Sequence, residues 1–471
     1  MVSEGAPMKL TDTTLTDLAS KLRTREVSAE NIAMGFLDMI AENDPALNAF
    51  ETIDADAVLV AARQADAAAA KGSPLGLLHG LPVAFKANID VVGYATTGSS
   101  RALREYFPKR DAPIVSAMKA QGVVPMGKLN MHELAFGATS NNAYCGAVRN
   151  PYNKDHVPGG SSGGSGAAVG GGLLPAALGT DTGGSVRVPA ALCGAAGFRP
   201  STGRWSTKGI LPISHTRDTA GPIARSVADL DLLDRAVAAP KRAAATAGSL
   251  EKRRFGVPRG YFFDTLTDDV AEATERALAD LKSSGVELVD IDLPTLWQEI
   301  DQDSMLIAVW EFKTNVDIYL AGSGIEYDSL LDQIESPDVA ALAASIRALP
   351  PETQLHYDEF ISLKRPNWQN RMKDLFASKK LDALVYPMVC STAPKIGLDD
   401  TFNIGGIELP VFNTLVRNSA VGSALGMPGL ALPNGLGQNG LPISLGIDCA
   451  VGDDADLMSL GLAIEQVLFR N

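Results

Sequence analysis

The chain has 471 residues, 46% hydrophobic and 20% charged, an ordinary globular composition that excludes collagen-like repeats, coiled coil and wholesale disorder. Lysine and arginine number 41 against 55 acidic residues, giving a net charge of −14. No strongly basic stretch offsets that charge, so neither nucleic acid nor an anionic membrane surface is an expected partner. Four cysteines in a chain this long read as buried small hydrophobes of a reducing compartment, not as a disulfide framework.

The first ten residues, Met1 to Leu10, lack the basic-then-apolar order of a signal peptide. Ser28 is placed to cap a helix whose inner face is Ile32, Phe36, Met39 and Ile40, ending before Asn43-Asp44-Pro45. A second helix starts near Asp54 and runs through alanine-rich sequence to Gly72. After Gly80 the run Leu81-Pro82-Val83-Ala84-Phe85 reads as a strand that delivers Lys86 at its end. A helix over Ala112 to Gln121 and a strand over Val123 to Met126 continue an α/β alternation.

Residues 159 to 200 hold 13 of the 45 glycines, so the backbone there must turn tightly or approach something closely. The least polar stretch, Gly163 to Gly179, contains seven glycines in 17 residues. A membrane span needs ~20 mainly large apolar residues, so a soluble, cytoplasmic protein is expected. Further on, Asp268 to Ser284 is an amphipathic helix and Val286 to Ile291 a strand. Trp297 to about Leu349 has a weak helical pattern, and strand-like runs return at 384–389, 429–433 and 442–447. The simplest organisation is one α/β domain over 1–471 with a helical insert at 296–375.

The chemistry-bearing residues lie in the glycine-rich region, Pro158 to Gly166 and Gly179 to Arg187. A phosphate-cradling Walker loop would require a following Gly-Lys-Ser/Thr, which is missing. Gly160-Ser161-Ser162-Gly163-Gly164 matches a nucleophile elbow centred on Ser162, but no strand precedes it, and of five histidines only His215 and His356 follow it. In the remaining reading Ser185 is the nucleophile, and Thr182-Gly183-Gly184-Ser185 presents consecutive N–H groups for a tetrahedral oxyanion. With histidine so scarce, a lysine or a relay through another serine is the base.

Taken together, Lys86 after its strand, Gly159-Gly160-Ser161-Ser162-Gly163-Gly164 and Asp181-Thr182-Gly183-Gly184-Ser185-Val186-Arg187 resemble the amidase signature family. The resemblance extends through Pro189 to Gly194, Gly197-Phe198-Arg199-Pro200 and Gly221 to Val227, with 80–240 as its core, and returns at Gly426-Met427-Pro428-Gly429 and Gly440 to Ile443. It implies a central mixed β-sheet sandwiched by helices and an amide hydrolase needing no metal or cofactor. It also implies a triad in which Ser185 attacks, Ser161 relays the proton after a cis peptide from Gly160, and Lys86 is the base. The N–H groups of Thr182, Gly183, Gly184 and Ser185 would form the oxyanion hole, with Asp181, Arg187 and Ser162 supporting it.

Lys86 is followed by Ala87-Asn88 where many members carry an acid, which leaves one anion fewer to hold its proton. His132-Glu133 lacks the second histidine of a zinc motif, His156 reads as a loop residue and Cys193 as core. The segment Ile210 to Pro222 and the loop Leu134 to Asn142 resemble the indoleacetamide and mandelamide hydrolase branch. That implies small-molecule substrates that are bulky or aryl amides, anilides or carbamates (urethanes), a pocket wall including Phe136, Gly137, Ala138 and Thr139, and a monomer or homodimer. Met305, Leu306, Val309, Trp310, Phe312 and the Gly405-Gly406 loop are expected to shape the pocket. The alternative is a glutaminase subunit that releases ammonia for a partner.

Overall fold

One eleven-stranded mixed sheet organises the chain in the computed structural model, which describes residues 10–468. The reading of Met1 to Leu10 therefore falls, Leu10 apart, outside the described residues. In chain order the strands are β1 (Phe50–Thr52), β2 (Pro82–Lys86), β3 (Val124–Leu129), β4 (Ala176–Asp181), β5 (Ala196–Arg199) and β6 (Thr219–Ala224). They continue with β7 (Arg254–Val257), β8 (Glu287–Asp290), β9 (Ala383–Pro387), the small hairpin β10 (Thr401–Ile404) and β11 (Ile407–Pro410), β12 (Gly429–Leu436) and β13 (Pro442–Asp448). Across the main sheet the order is β1-β3-β2-β4-β6-β5-β12-β13-β9-β7-β8.

β2 runs parallel to both β3 and β4, whereas β4–β6, β6–β5, β5–β12 and β12–β13 are antiparallel. Every residue of β2, β4, β5, β6, β9 and β13 is buried, because helices cover both faces of the sheet. The helices begin where their capping chemistry dictates. Ser28 accepts from Asn31 N at the start of Ala29–Asn43, and Asp54 accepts from Ala57 N at the start of Ala55–Ala70. Gly163 to Gly179 is divided into a short helix, Gly163–Gly170, a loop, and the first residues of β4. Among the described residues no helix is long and apolar enough to cross a membrane.

The region between β8 and β9 is helical throughout its regular structure: Pro294–Tyr319, Tyr327–Asp332, Pro337–Arg347, Thr353–Glu359 and Arg365–Lys379, with a π-turn between the last two. Specific polar contacts tie it to the segment that follows β3. The Glu133 carboxylate accepts from the N–H groups of Glu335 and Ser336, and His132 Nε2 lies 2.9 Å from Asp338 Oδ2. These two residues, read from sequence as too few for a zinc site, instead fasten the start of the Pro337–Arg347 helix.

Candidate active site

β2 ends at Lys86, and its parallel neighbour β4 ends at Asp181, so the C-terminal ends of the two strands lie side by side. Lys86 is fully buried. Its Nζ donates to Ser161 Oγ at 2.7 Å and to Thr180 Oγ1 at 2.8 Å, and Asn88 Nδ2 donates to the same threonine oxygen at 3.1 Å. Burial, only partly offset by Asp181 and Asp218, pulls the Lys86 pKa down to about 7. Desolvation is the largest influence on Lys86, and Ala87 beside it adds no charge.

The Gly160–Ser161 peptide is cis. A Cβ at Gly160 would stand 2.8 Å from Ala138 C and 2.9 Å from Thr139 N, so only glycine fits against that backbone. His132 N donates to Ser161 O at 3.0 Å, and Ser162 N donates to Ser185 O at 3.3 Å, which sets the two serine segments against each other. Ser162 Oγ lies 3.2 Å from Thr180 O and accepts from Thr180 N, so it braces the loop on β4. The hydroxyls of Ser161 and Ser185 are not hydrogen-bonded to each other, whereas Ser185 remains partly open to a cleft.

The loop after β4 is gripped one carbonyl at a time. Arg199 Nη1 holds Asp181 O, Arg217 Nε holds Thr182 O at 3.0 Å, the Ser419 hydroxyl meets Gly183 O at 2.6 Å, and Val188 N donates to Gly184 O at 2.7 Å. In a trans peptide the N–H points opposite to the C=O, so each grip also aims the following N–H. Gly184 N is occupied by Asp181 Oδ1 at 2.9 Å, whereas the N–H groups of Thr182, Gly183 and Ser185 meet no acceptor among the described residues. The expected row of four donors is thus three free ones and one committed to bracing.

Asp181 is that brace. Its carboxylate takes Arg187 Nε at 3.1 Å, Arg199 Nη1 at 2.9 Å and Val186 N at 3.3 Å, all buried. Burial alone would raise its pKa, but Arg187 and Arg199 reverse this and hold it below the usual carboxylate range. Sequence reasoning found Asp181 and Arg187. It gave no role to Thr180, Asn88, Arg199, Arg217 or Ser419, although all but Ser419 lie in segments quoted above.

Ser185 opens on a narrow cleft walled by Phe136, Ile213, Met305, Ala308, Val309 and Phe412, with Arg217 its one charged lining residue. Phe136 lines it as expected and is backed by Phe312, edge to face at 4.5 Å. Gly137, Ala138 and Thr139 do not: Ala138 and Thr139 are buried behind Gly160, and a Cβ at Gly137 would strike the His132 ring. Met305 and Val309 line the cleft, but Trp310 faces a separate cavity and Leu306 packs in a satellite core. Gly405-Gly406 forms only the β10–β11 turn; the helix after it, Val411–Leu425, supplies Phe412 and Val416.

Comparison with known proteins agrees with this geometry. The family profile described as Amidase matches residues 32–458. A mandelamide hydrolase of Pseudomonas putida is 37% identical, with 98% of this chain and 93% of that protein aligned. An indoleacetamide hydrolase of Agrobacterium vitis is 39% identical over 84% of this chain and 85% of its own. The native peptide amidase of Stenotrophomonas maltophilia superposes with a TM-score of 0.84 at 27% identity, covering 98% of each chain. The chain belongs to the amidase signature family of amide hydrolases.

Proposed function

We propose that this protein hydrolyses bulky, apolar amides, with anilides and aryl carbamates as further substrates, through an acyl-enzyme on Ser185. The observation that carries the reading is the buried Lys86 Nζ, 2.7 Å from Ser161 Oγ, with a pKa drawn to about 7. A lysine at its ordinary ~10.4 is protonated at neutral pH and accepts nothing. One at about 7 is substantially neutral there.

Neutral Lys86 takes the Ser161 proton as Ser161 takes that of Ser185, whose oxygen bonds to the substrate carbonyl carbon. The serine–serine contact closes with substrate in place, as catalytic hydrogen bonds commonly tighten only in the complex. Negative charge collects on the carbonyl oxygen, facing the free N–H groups of Thr182, Gly183 and Ser185. The C–N bond then breaks, and the amine leaves with the proton returned along the same path. Water attacks the ester by the reverse relay and releases the acid. With a carbamate, the same steps give a carbonate ester on Ser185, hydrolysed in turn. The apolar wall of Phe136, Met305, Val309 and Phe412 suits an aryl group, as do the substrates named for the mandelamide and indoleacetamide hydrolases.

The test is amine release from a matched aryl amide and aryl carbamate by the wild type and Ser185→Ala. Release from the amide that disappears in the variant is expected, and the amide-to-carbamate rate ratio then sets the preference. Release that survives Ser185→Ala would refute the nucleophile assignment.

A further inference from the structure

Arg217 is nearly fully buried and lies outside every glycine motif. Its guanidinium joins two segments far apart in the chain. Nε donates to Thr182 O at 3.0 Å, and Nη1 donates to Ser304 O at 2.7 Å, on the helix Pro294–Tyr319 that also carries Met305, Ala308 and Val309 into the cleft. The Thr182 carbonyl and the Gly183 N–H belong to one planar peptide and point in opposite directions. Fixing the carbonyl from one side therefore fixes the direction of a free donor on the other.

We infer that Arg217 is a positioning residue that sets the Gly183 N–H for the oxyanion and couples that setting to the helix forming the acyl-pocket wall. A planar fork holding two carbonyls is what arginine provides and lysine does not; lysine keeps the charge but lacks the rigid pair of donors. The arrangement also gives a reason for an arginine in a cleft whose other lining residues carry no charge. Its role is to hold backbone, and it needs no contact with substrate. The inference rests on Ser185 being the nucleophile.

The experiment compares wild type, Arg217→Met and Arg217→Lys in two ways. Steady-state kinetics on an arylacetamide gives kcat and KM. Inhibition constants are then measured for an arylboronic acid, whose tetrahedral adduct with serine occupies the oxyanion position, and for the planar arylacetate product. Expected for Arg217→Met is a fall in kcat of about 10²-fold with KM within about threefold, the scale of losing one oxyanion donor. Boronate affinity should fall by a similar factor while arylacetate affinity holds, and Arg217→Lys should stay impaired by about 10-fold.

Equal weakening of boronate and arylacetate in both variants overturns the inference, because Arg217 would then be general scaffold. A loss carried by KM, or full activity in Arg217→Lys, overturns it as well. Failure of the underlying reading looks different: wild type would then cleave no amide, and its boronate inhibition would persist in Ser185→Ala.

Discussion

Lys86 draws its chemistry from what surrounds it rather than from what it is. A strand-end lysine is ordinarily solvated, and this one is buried with two hydroxyls, Ser161 and Thr180, as its partners. Below pH 7 the amine is mostly protonated and cannot accept from Ser161; above it the amine is free. Accordingly kcat/KM should rise with pH through an apparent pKa of about 7 and level off. Lys86→Met should cost about 10²–10⁴-fold and remove that limb. A profile flat from about pH 6 to 9 for the wild type would leave Lys86 without its role as base. The resemblance to the amidase signature family marks Lys86, Ser161 and Ser185, but it does not reveal Thr180 and Asn88, because nothing local distinguishes a strand hydroxyl that faces a lysine from one that faces a helix.

Around the oxyanion loop, separate elements each contribute one grip: Arg199 from β5, Arg217 from the loop before β6, and Ser419 from the helix Val411–Leu425. Gly184 is where they leave least room. Its φ is +130°, and a Cβ there would lie 2.0 Å from Ser419 Oγ and 3.2 Å from Val188 Cγ2. Gly184→Ala should therefore force the loop and that helix apart, costing about 1–3 kcal/mol of stability and a larger fraction of kcat than of substrate affinity. Thermal unfolding and steady-state kinetics on the same preparation check both parts. An active variant with unchanged stability would mean that the loop adapts freely.

The same scale explains which elements could be read from sequence. The strands at Pro82–Lys86 and Pro442–Asp448 stood out as apolar runs between turn residues. β5 and β6 did not, because strands buried on both faces show no alternation, and here they are short and broken by glycine and proline. The helix Val411–Leu425 follows a hairpin and is buried along most of its length, so it lacks the polar face that would announce it. The pocket loop was misjudged for a related reason. Four adjacent residues, Phe136 to Thr139, were assigned together, but the chain turns there and only Phe136 reaches the cleft.

Across the whole molecule, Lys86 is not the only lysine buried in the sheet. On the neighbouring strand β3, Lys128 is also buried, donates to Ile89 O and has a pKa drawn down to about 7 by desolvation, against the pull of Glu51 and Asp90. Unlike Lys86 it has no place in the proposed relay, so its burial can be tested through stability alone. In the unfolded chain a lysine titrates near ~10.4, so between about pH 7 and 10 the unfolded state binds the extra proton. Stability rises with pH wherever the unfolded state holds more protons. The contribution of Lys128 is thus fully present above the unfolded pKa and is lost progressively as pH falls towards the folded pKa of about 7. Lys128→Met has no proton to lose and escapes that penalty. Its stability relative to wild type should therefore improve steadily as pH is lowered from about 10 to 7, measured by urea unfolding at each pH. The repulsion generated by the net charge of −14 shifts wild type and variant alike to first order and largely cancels in the difference. A difference that stays constant across that range would mean that Lys128 keeps its proton in the fold, held by Ile89 O and the pull of Glu51 and Asp90.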